Sequence, residues 1–127
     1  MILPVLYISN SPHKGRGVFT SATIPANTTI EIAPVLVLDT RERAQVEKTL
    51  LHDYIFEWGP DGSMAAVALG YVSMYNHAIQ YNCRYEMDFD ALTISIITCM
   101  QVEEGNELFI NYNPEGKEHS PVWFELV

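Results

Sequence analysis

The chain has 127 residues, 48% hydrophobic and 18% charged, a composition that favours one globular domain over a disordered or fibrous chain. No apolar run approaches the roughly 20 residues of a membrane helix, and the first residues lack a signal-peptide pattern, so we expect an intracellular protein, cytoplasmic or nuclear. Sixteen acidic against seven basic residues give a net charge of -9, which disfavours direct contact with nucleic acid or membrane and favours a basic peptide or protein as partner.

The first predicted elements are strands. Residues 5–8 are a short strand candidate, and residues 28–38 (TTIEIAPVLVL) are rich in β-branched side chains, with Pro34 implying a kink or a sheet edge. Between them, KGRGVF at 14–19 holds two glycines that most often serve a plain turn but can also leave backbone amides open to a ligand. A strand rather than a helix follows, which excludes a dinucleotide-binding fingerprint.

One modest helix is predicted between Asp39 and His52. Asp39 can cap its first turn, and Glu42 can return the hydrogen bond from three residues on. Val46, Leu50 and Tyr54 then recur at a spacing of four, which predicts a continuous apolar stripe along the helix.

The second half of the chain predicts short strands only. The sequence GPDG at 59–62 is a tight turn, so residues 54–58 and 63–69 read as a hairpin. The segment CRYEMDF alternates in period two, and its predicted inward-facing residues are Cys83, Tyr85, Met87 and Phe89. A turn at 88–90 leads into LTISIIT, and ELFINY forms the last predicted strand. The fold class is therefore mainly β, in one domain without repeats or linkers.

Residues 75–83, YNHAIQYNC, concentrate polar side chains in a possible loop. The asparagine amides can donate and accept hydrogen bonds, whereas a lone histidine is more often structural than a ligand or base. No second histidine or carboxylate follows at metal-binding spacing, so we predict no metal site. Cys83 and Cys99 are too few for a disulfide framework and too far apart for a metal knuckle, which predicts reduced thiols.

Three motifs occur in a diagnostic order, namely KGRGVF, YNHAIQYNC and EEGNELFINY. Together they resemble the SET domain, the fold of protein lysine methyltransferases, over about residues 8–112, most closely the minimal stand-alone SET proteins of viruses. The resemblance implies a β-clip of several short sheets with one short helix and a C-terminal pseudoknot. It also implies that residues 1–127 are a single SET domain whose tail, 113–127, closes the lysine channel.

The resemblance further implies S-adenosylmethionine as cofactor and Tyr112 as the catalytic residue. The residues that correspond to the cofactor site are Lys14, Gly15, Arg16, Gly17, Asn76 and His77. The Lys-Gly-x-Gly turn would contact the methionine part through backbone, and the Asn-His pair would hold the amino end and the adenine. Tyr112 would orient the amine of the substrate lysine and the cofactor through its hydroxyl.

Four residues are candidates for the channel that admits the substrate lysine: Tyr54, Ile110, Trp123 and Phe124. Relatives often place an aromatic ring where this chain has Ile110, so we expect a roomier channel that allows more than one methyl group. The cysteine-rich zinc segment of many relatives is missing. Trp123 or Phe124 would then close the channel, although packing in the core or in a homodimer explains them equally well.

Several positions depart from the family pattern and weaken the expectation of full activity: Ala78, Tyr81, Asn106, Asn111 and Asn113. An alternative is a non-catalytic SET-like module that grips a basic partner through the glutamates Glu103, Glu104, Glu107, Glu115 and Glu118. Tyr112 argues against it. A β-clip protein of another kind, with a binding role only, would not need the Asn-His pair. Histones, ribosomal proteins and bacterial DNA-packaging proteins all stay open as substrates.

Overall fold

A computed structural model of the protein describes residues 1–12 and 15–111, and within that part nine strands are joined by hydrogen bonds into one sheet. The strands are β1 (Leu6–Asn10), β2 (Arg16–Thr20), β3 (Thr29–Leu38), β4 (Ile55–Trp58), β5 (Met64–Ala68), β6 (Asn76–His77), β7 (Cys83–Asp88), β8 (Thr93–Thr98) and β9 (Glu107–Ile110). Helix α1 (Thr40–Val46) and two 3-10 helices, Leu50–Tyr54 and Val72–Met74, complete the described elements. In this part of the chain no helix is long and apolar enough to cross a membrane.

The sheet order places the last described strand in the middle of the sheet. The order is β1-β2-β9-β7-β8-β3-β5-β4, and β6 also pairs with β9. Strand β9 is antiparallel to β2 but parallel to β6 and β7. The last described strand thus lies between strands that precede it in the sequence. These parallel pairings bring the middle motif and the closing motif together. The mainly β prediction is confirmed.

Strand β3 changes its partner at Pro34. Its first part pairs with β8 as far as Pro34, and residues 35–38 pair with β5 instead. Proline has no amide hydrogen to donate, so it is tolerated where a ladder ends. The predicted kink or edge thus takes the form of a switch between two partner strands, which helps the sheet to curl.

Helix α1 begins as predicted but ends earlier. The Asp39 carboxylate accepts from the amide of Glu42 at 2.8 Å, and the Glu42 carboxylate accepts from the amide of Asp39 at 3.0 Å, so the capping box is confirmed. The prediction of a continuous apolar stripe is wrong, because α1 ends at Val46 and a separate 3-10 helix follows. The Thr49 side chain caps this second helix by accepting from the amide of Leu51. Leu50 consequently lies 79% exposed.

The hairpin of β4 and β5 is confirmed, with its turn at 59–62. The period-two prediction for β7 also holds, since Cys83 is buried and both Tyr85 and Met87 are half-buried between exposed neighbours. Phe89 is the exception at 44% exposed, because it lies beyond the end of β7 and packs edge-on against Trp58. Both cysteines are free thiols.

Candidate functional site

One glycine and two polar residues, each from a different sequence motif, lie next to one another in the sheet. Gly17 lies on β2, Asn76 on β6 and Glu107 on β9, and β9 pairs with both other strands. The Asn76 side-chain amide donates to Glu107 Oε2 at 2.8 Å and to the carbonyl of Arg16 at 3.1 Å. The Ser11 hydroxyl donates to Glu107 Oε1 at 2.7 Å. The Asn76 amide therefore joins the glycine motif to Glu107, and the Glu107 carboxylate is held from both sides.

Gly17 is required by close approach rather than by backbone conformation. A Cβ atom at this position would overlap Glu107 Oε2 and lie 2.9 Å from Asn76 Nδ2, closer than real Cβ contacts. Gly15 differs, because it has a φ of 55° and nothing near a Cβ, so it serves the turn itself. Glycine is thus needed at position 15 for the backbone conformation and at position 17 for the close approach of other side chains.

Asn82 holds β9 from the side. Its amide nitrogen donates to the carbonyl of Glu107 at 3.0 Å, and its amide oxygen accepts from the backbone N–H of Phe109 at 2.8 Å. The side chain thereby acts as a short piece of neighbouring strand. Sequence analysis did not assign a role to Asn82, which directly precedes Cys83.

A cleft of about 700 Å³ adjoins this cluster. Glu107 and Phe109 alternate on β9 and both line the cleft, while the intervening residue points into the core. Phe19 and Met100 add apolar walls, and Asn82 adds a polar one. The cleft therefore combines aromatic surface with a few fixed polar groups, which is the usual composition of a small-molecule site.

His77 and Ile110 lie on the other side of this layer. They are paired in register between β6 and β9, and both side chains are buried. Tyr54 is 37% exposed, and its carbonyl accepts from the hydroxyl of Ser73 in the 3-10 helix that precedes β6. The roles of His77 at the cofactor and of Tyr54 and Ile110 in the lysine channel stay predictions.

Several predicted site residues lie outside the described part of the chain: Lys14, Tyr112, Trp123, Phe124 and the tail 113–127. The glutamate surface of the alternative binding module is only partly described. Glu103 and Glu104 are exposed, but Glu107 is 7% exposed and already bonded to Ser11 and Asn76, so it cannot grip a partner at the surface. Glu115 and Glu118 lie outside the described residues.

A second buried carboxylate, Glu31 on β3, was not anticipated. Glu31 Oε2 accepts from the amide of Tyr71 at 2.7 Å, and Oε1 accepts from the hydroxyl of Tyr75 at 2.9 Å. Burial raises the pKa of Glu31, an effect that these hydrogen bonds oppose only in part, and burial together with Glu31 raises the pKa of Tyr75. Because Tyr75 directly precedes Asn76, this network anchors the start of β6.

The raised pKa of Glu31 predicts a pH-dependent effect of Glu31→Gln on stability. Below the ordinary carboxyl pKa of 4.5, Glu31 is protonated in the folded and unfolded chains alike. As the pH rises, the unfolded chain loses this proton first, so Glu31 lowers the free energy of unfolding until the folded-state pKa is passed. Glutamine does not titrate, so its contribution to the free energy of unfolding does not change with pH. The wild type should therefore lose stability relative to Glu31→Gln as the pH rises.

Urea denaturation of both proteins at several values between about pH 4 and pH 8 measures this difference. Glu104→Gln, at an exposed position, serves as the control and should show no such trend. A wild-type minus Glu31→Gln difference that is the same at every pH would show that Glu31 titrates alike in the folded and unfolded chains.

Comparison with known proteins gives a consistent result. The model of the SET domain family matches residues 15–113 of the chain, a range that includes Tyr112. A Schizosaccharomyces pombe protein named histone-lysine N-methyltransferase, H3 lysine-37 specific, is 37% identical over 121 residues, which cover 94% of this chain and 77% of that protein. The solved structure of a candidate histone methyltransferase from Plasmodium falciparum is also similar, with a TM-score of 0.67 and 26% identity over 84% of this chain and 91% of that one.

Proposed function

Because the chain belongs to the SET domain family of protein lysine methyltransferases, we propose that it transfers a methyl group from S-adenosylmethionine to a lysine of a basic, histone-like protein. The observation that carries the proposal is the meeting of Gly17, Asn76 and Glu107 beside an apolar cleft. The net charge of -9 suits a basic substrate, and the yeast relative is named for a histone lysine. We expect the protein to act where such substrates occur, in the nucleus or the cytoplasm.

The residues present fit S-adenosylmethionine. The cleft of about 700 Å³ lies within the usual range for small-molecule sites, roughly 300 to 1,000 Å³. It shares Glu107 with the cluster of Gly17 and Asn76, which lie next to the cleft and do not line it. Both hydrogens of the Asn76 amide are used by Glu107 and by the Arg16 carbonyl, which leaves its oxygen to accept from a ligand ammonium group. The open backbone at Gly15 suits the carboxylate end of an amino acid. When bound, the cofactor supplies a methyl group activated on a positively charged sulfur.

The protein must also prepare the lysine. A free lysine has a pKa of about 10.4, so near neutrality only on the order of one amine in a thousand is uncharged and nucleophilic. A dry channel with aromatic walls disfavours the ammonium form by desolvation. In our proposal Tyr112 orients the amine through its hydroxyl, Tyr54 forms one wall, and Ile110 leaves room for more than one methyl group. Trp123 or Phe124 would complete the channel.

Cofactor binding tests the proposal, and we expect Asn76→Ala to weaken it by about tenfold or more. The substitution removes a charge-assisted hydrogen bond to Glu107 and the acceptor offered to the cofactor, each worth about 1.5 to 3 kcal/mol. Isothermal titration calorimetry with S-adenosylmethionine and with its demethylated product measures the loss.

The matched control is Gln45→Ala, which removes a side-chain amide from an exposed position on α1. It should bind like the wild type. If the wild type gives no heat of binding at millimolar cofactor, the proposal that the protein is a methyltransferase is contradicted. If Asn76→Ala and the wild type bind the cofactor equally well, Asn76 does not contact the cofactor.

A further inference from the structure

A second cavity lies where the curled sheet closes on itself. Strands β4 and β7 are far apart in the sheet order, yet the rings of Phe56 and Tyr85 lie 6.3 Å apart and those of Trp58 and Phe89 lie 4.8 Å apart. Between the two strands is a cavity of about 230 Å³. We call it the hairpin cavity, and it is lined by Glu57, by Gly59, Pro60 and Gly62 of the turn, and by Tyr85, Met87 and Phe89.

The walls of the hairpin cavity suit a cation. Tyr85 and Phe89 present aromatic rings, whose faces carry negative partial charge, and Met87 adds a polarisable thioether. The edge-on contact with Trp58 holds the ring of Phe89 in place although Phe89 is 44% exposed. An ammonium group beside such rings is attracted to their faces, and the attraction grows as the group is desolvated.

One wall also carries a negative charge that is only partly neutralised. Glu57 Oε1 lies 3.6 Å from the Arg43 guanidinium, and the Glu57 side chain is 30% exposed. Arg43 lies at the turn that lines the cavity and also donates to the carbonyl of Gly62 at 2.7 Å and to Glu47 at 3.3 Å, so its charge is shared among several acceptors. Burial raises the pKa of Tyr85, and the nearby charge of Glu57 raises it further. The Glu57 carboxylate therefore contributes negative potential at a residue that lines the cavity.

The hairpin cavity is separate from the methyl-transfer site. Cys83, at the start of β7, is paired with Ile110, whereas Met87 is four residues further along the same strand. At about 3.3 Å per residue this is roughly 13 Å. An extended peptide of a few residues covers this separation, so one substrate chain can reach both places.

We propose that the hairpin cavity binds the alkylammonium side chain of a second lysine in the basic substrate, apart from the lysine that is methylated. The aromatic walls, the thioether and the carboxylate select a cation with an apolar stem. Such an anchor raises the local concentration of the target lysine at the channel and lowers KM without entering the chemistry. The identity of the substrate rests on the proposed function, but the cation preference of the cavity does not.

Binding is tested directly by NMR of the protein labelled at its methionine methyl groups. The probes are Nα-acetyl-lysine amide and Nα-acetyl-norleucine amide, which share the apolar stem and differ in the ammonium group. We expect the Met87 methyl signal to move with the lysine probe and not with the norleucine probe, and Phe89→Leu to reduce that shift. No shift up to the highest soluble concentration, or equal shifts with both probes, would overturn the proposal.

Kinetics test the consequence in methyl transfer to a full-length basic protein. Glu57→Gln is expected to raise KM about three- to tenfold with kcat unchanged, and Phe89→Leu to do the same. The matched control is Glu86→Gln, which makes the same charge change on the opposite face of β7 and should leave KM unaltered. An equal rise in KM for Glu57→Gln and Glu86→Gln would show an effect of net charge and overturn the anchor.

The two tests separate the anchor from the proposed function. If the protein transfers no methyl group yet the lysine probe moves Met87, the cavity stands and the enzyme assignment fails. If methyl transfer occurs and the lysine probe leaves Met87 unmoved, the enzyme assignment stands and the anchor fails.

Discussion

Replacing Tyr112 with phenylalanine is expected to lower methyl transfer by roughly a hundredfold or more, a size typical of one well-placed polar group. In the proposed mechanism the phenol hydroxyl acts when the amine, the methyl group and the sulfur must be collinear. Its removal should therefore lower kcat rather than cofactor affinity, which we expect within a few-fold of the wild type. Phenylalanine keeps the ring, so its packing is preserved.

Mass spectrometry of one defined lysine peptide, together with calorimetry on the same preparations, measures both quantities. Tyr7→Phe removes the hydroxyl of a half-exposed tyrosine on β1 and should behave like the wild type. Full activity of Tyr112→Phe would overturn the catalytic role. A wild type that binds a basic peptide but transfers nothing would favour the non-catalytic binding module.

Replacing Gly17 with alanine is the second large expected effect, with cofactor binding reduced beyond detection and a loss of about 1 to 3 kcal/mol in stability. The new methyl group would occupy the space of the Glu107 carboxylate and crowd the Asn76 amide. Because both groups hold the proposed cofactor site together, their displacement should remove the site as well as strain the sheet.

A double-mutant cycle identifies the cause of that loss. In a Glu107→Ala background the closest overlap beside residue 17 is removed and only the Asn76 contact is left, so Gly17→Ala should cost clearly less in the free energy of unfolding than it does in the wild type. Urea denaturation of the four proteins gives the coupling energy. Equal costs in both backgrounds would mean that Gly17 is needed for a reason other than the approach of Glu107.

Local sequence patterns were sufficient for most of the strands and for the start of the helix. Period-two alternation predicted β7 and β8, and the turn at 59–62 predicted the hairpin of β4 and β5. The capping box of Asp39 and Glu42 was readable because its two hydrogen bonds join residues only three apart. The end of the helix was not predicted, because the Thr49 side chain accepts from the amide of Leu51 and starts a separate 3-10 helix there.

The candidate site divides in the same way. Motif order in the sequence pointed to Gly17 and Asn76, but the residue that joins them, Glu107, was read as part of an acidic surface. Its burial depends on the pairing of β9 with β2 and β6, which brings together residues about 90 and 33 positions apart. No local pattern reports such a pairing.

By itself, then, the sequence determined the strands, the capped helix, the turn and the ordered motifs that identify the family, because each of these rests on residues close together in the chain. Only the tertiary structure decided which carboxylates are buried. Glu31 and Glu107 are internal hydrogen-bond acceptors, whereas Glu57 lines the hairpin cavity, so one residue type has two different environments. The cost of burying a carboxylate depends on the partners that the fold brings to it, and those partners come from distant parts of the chain.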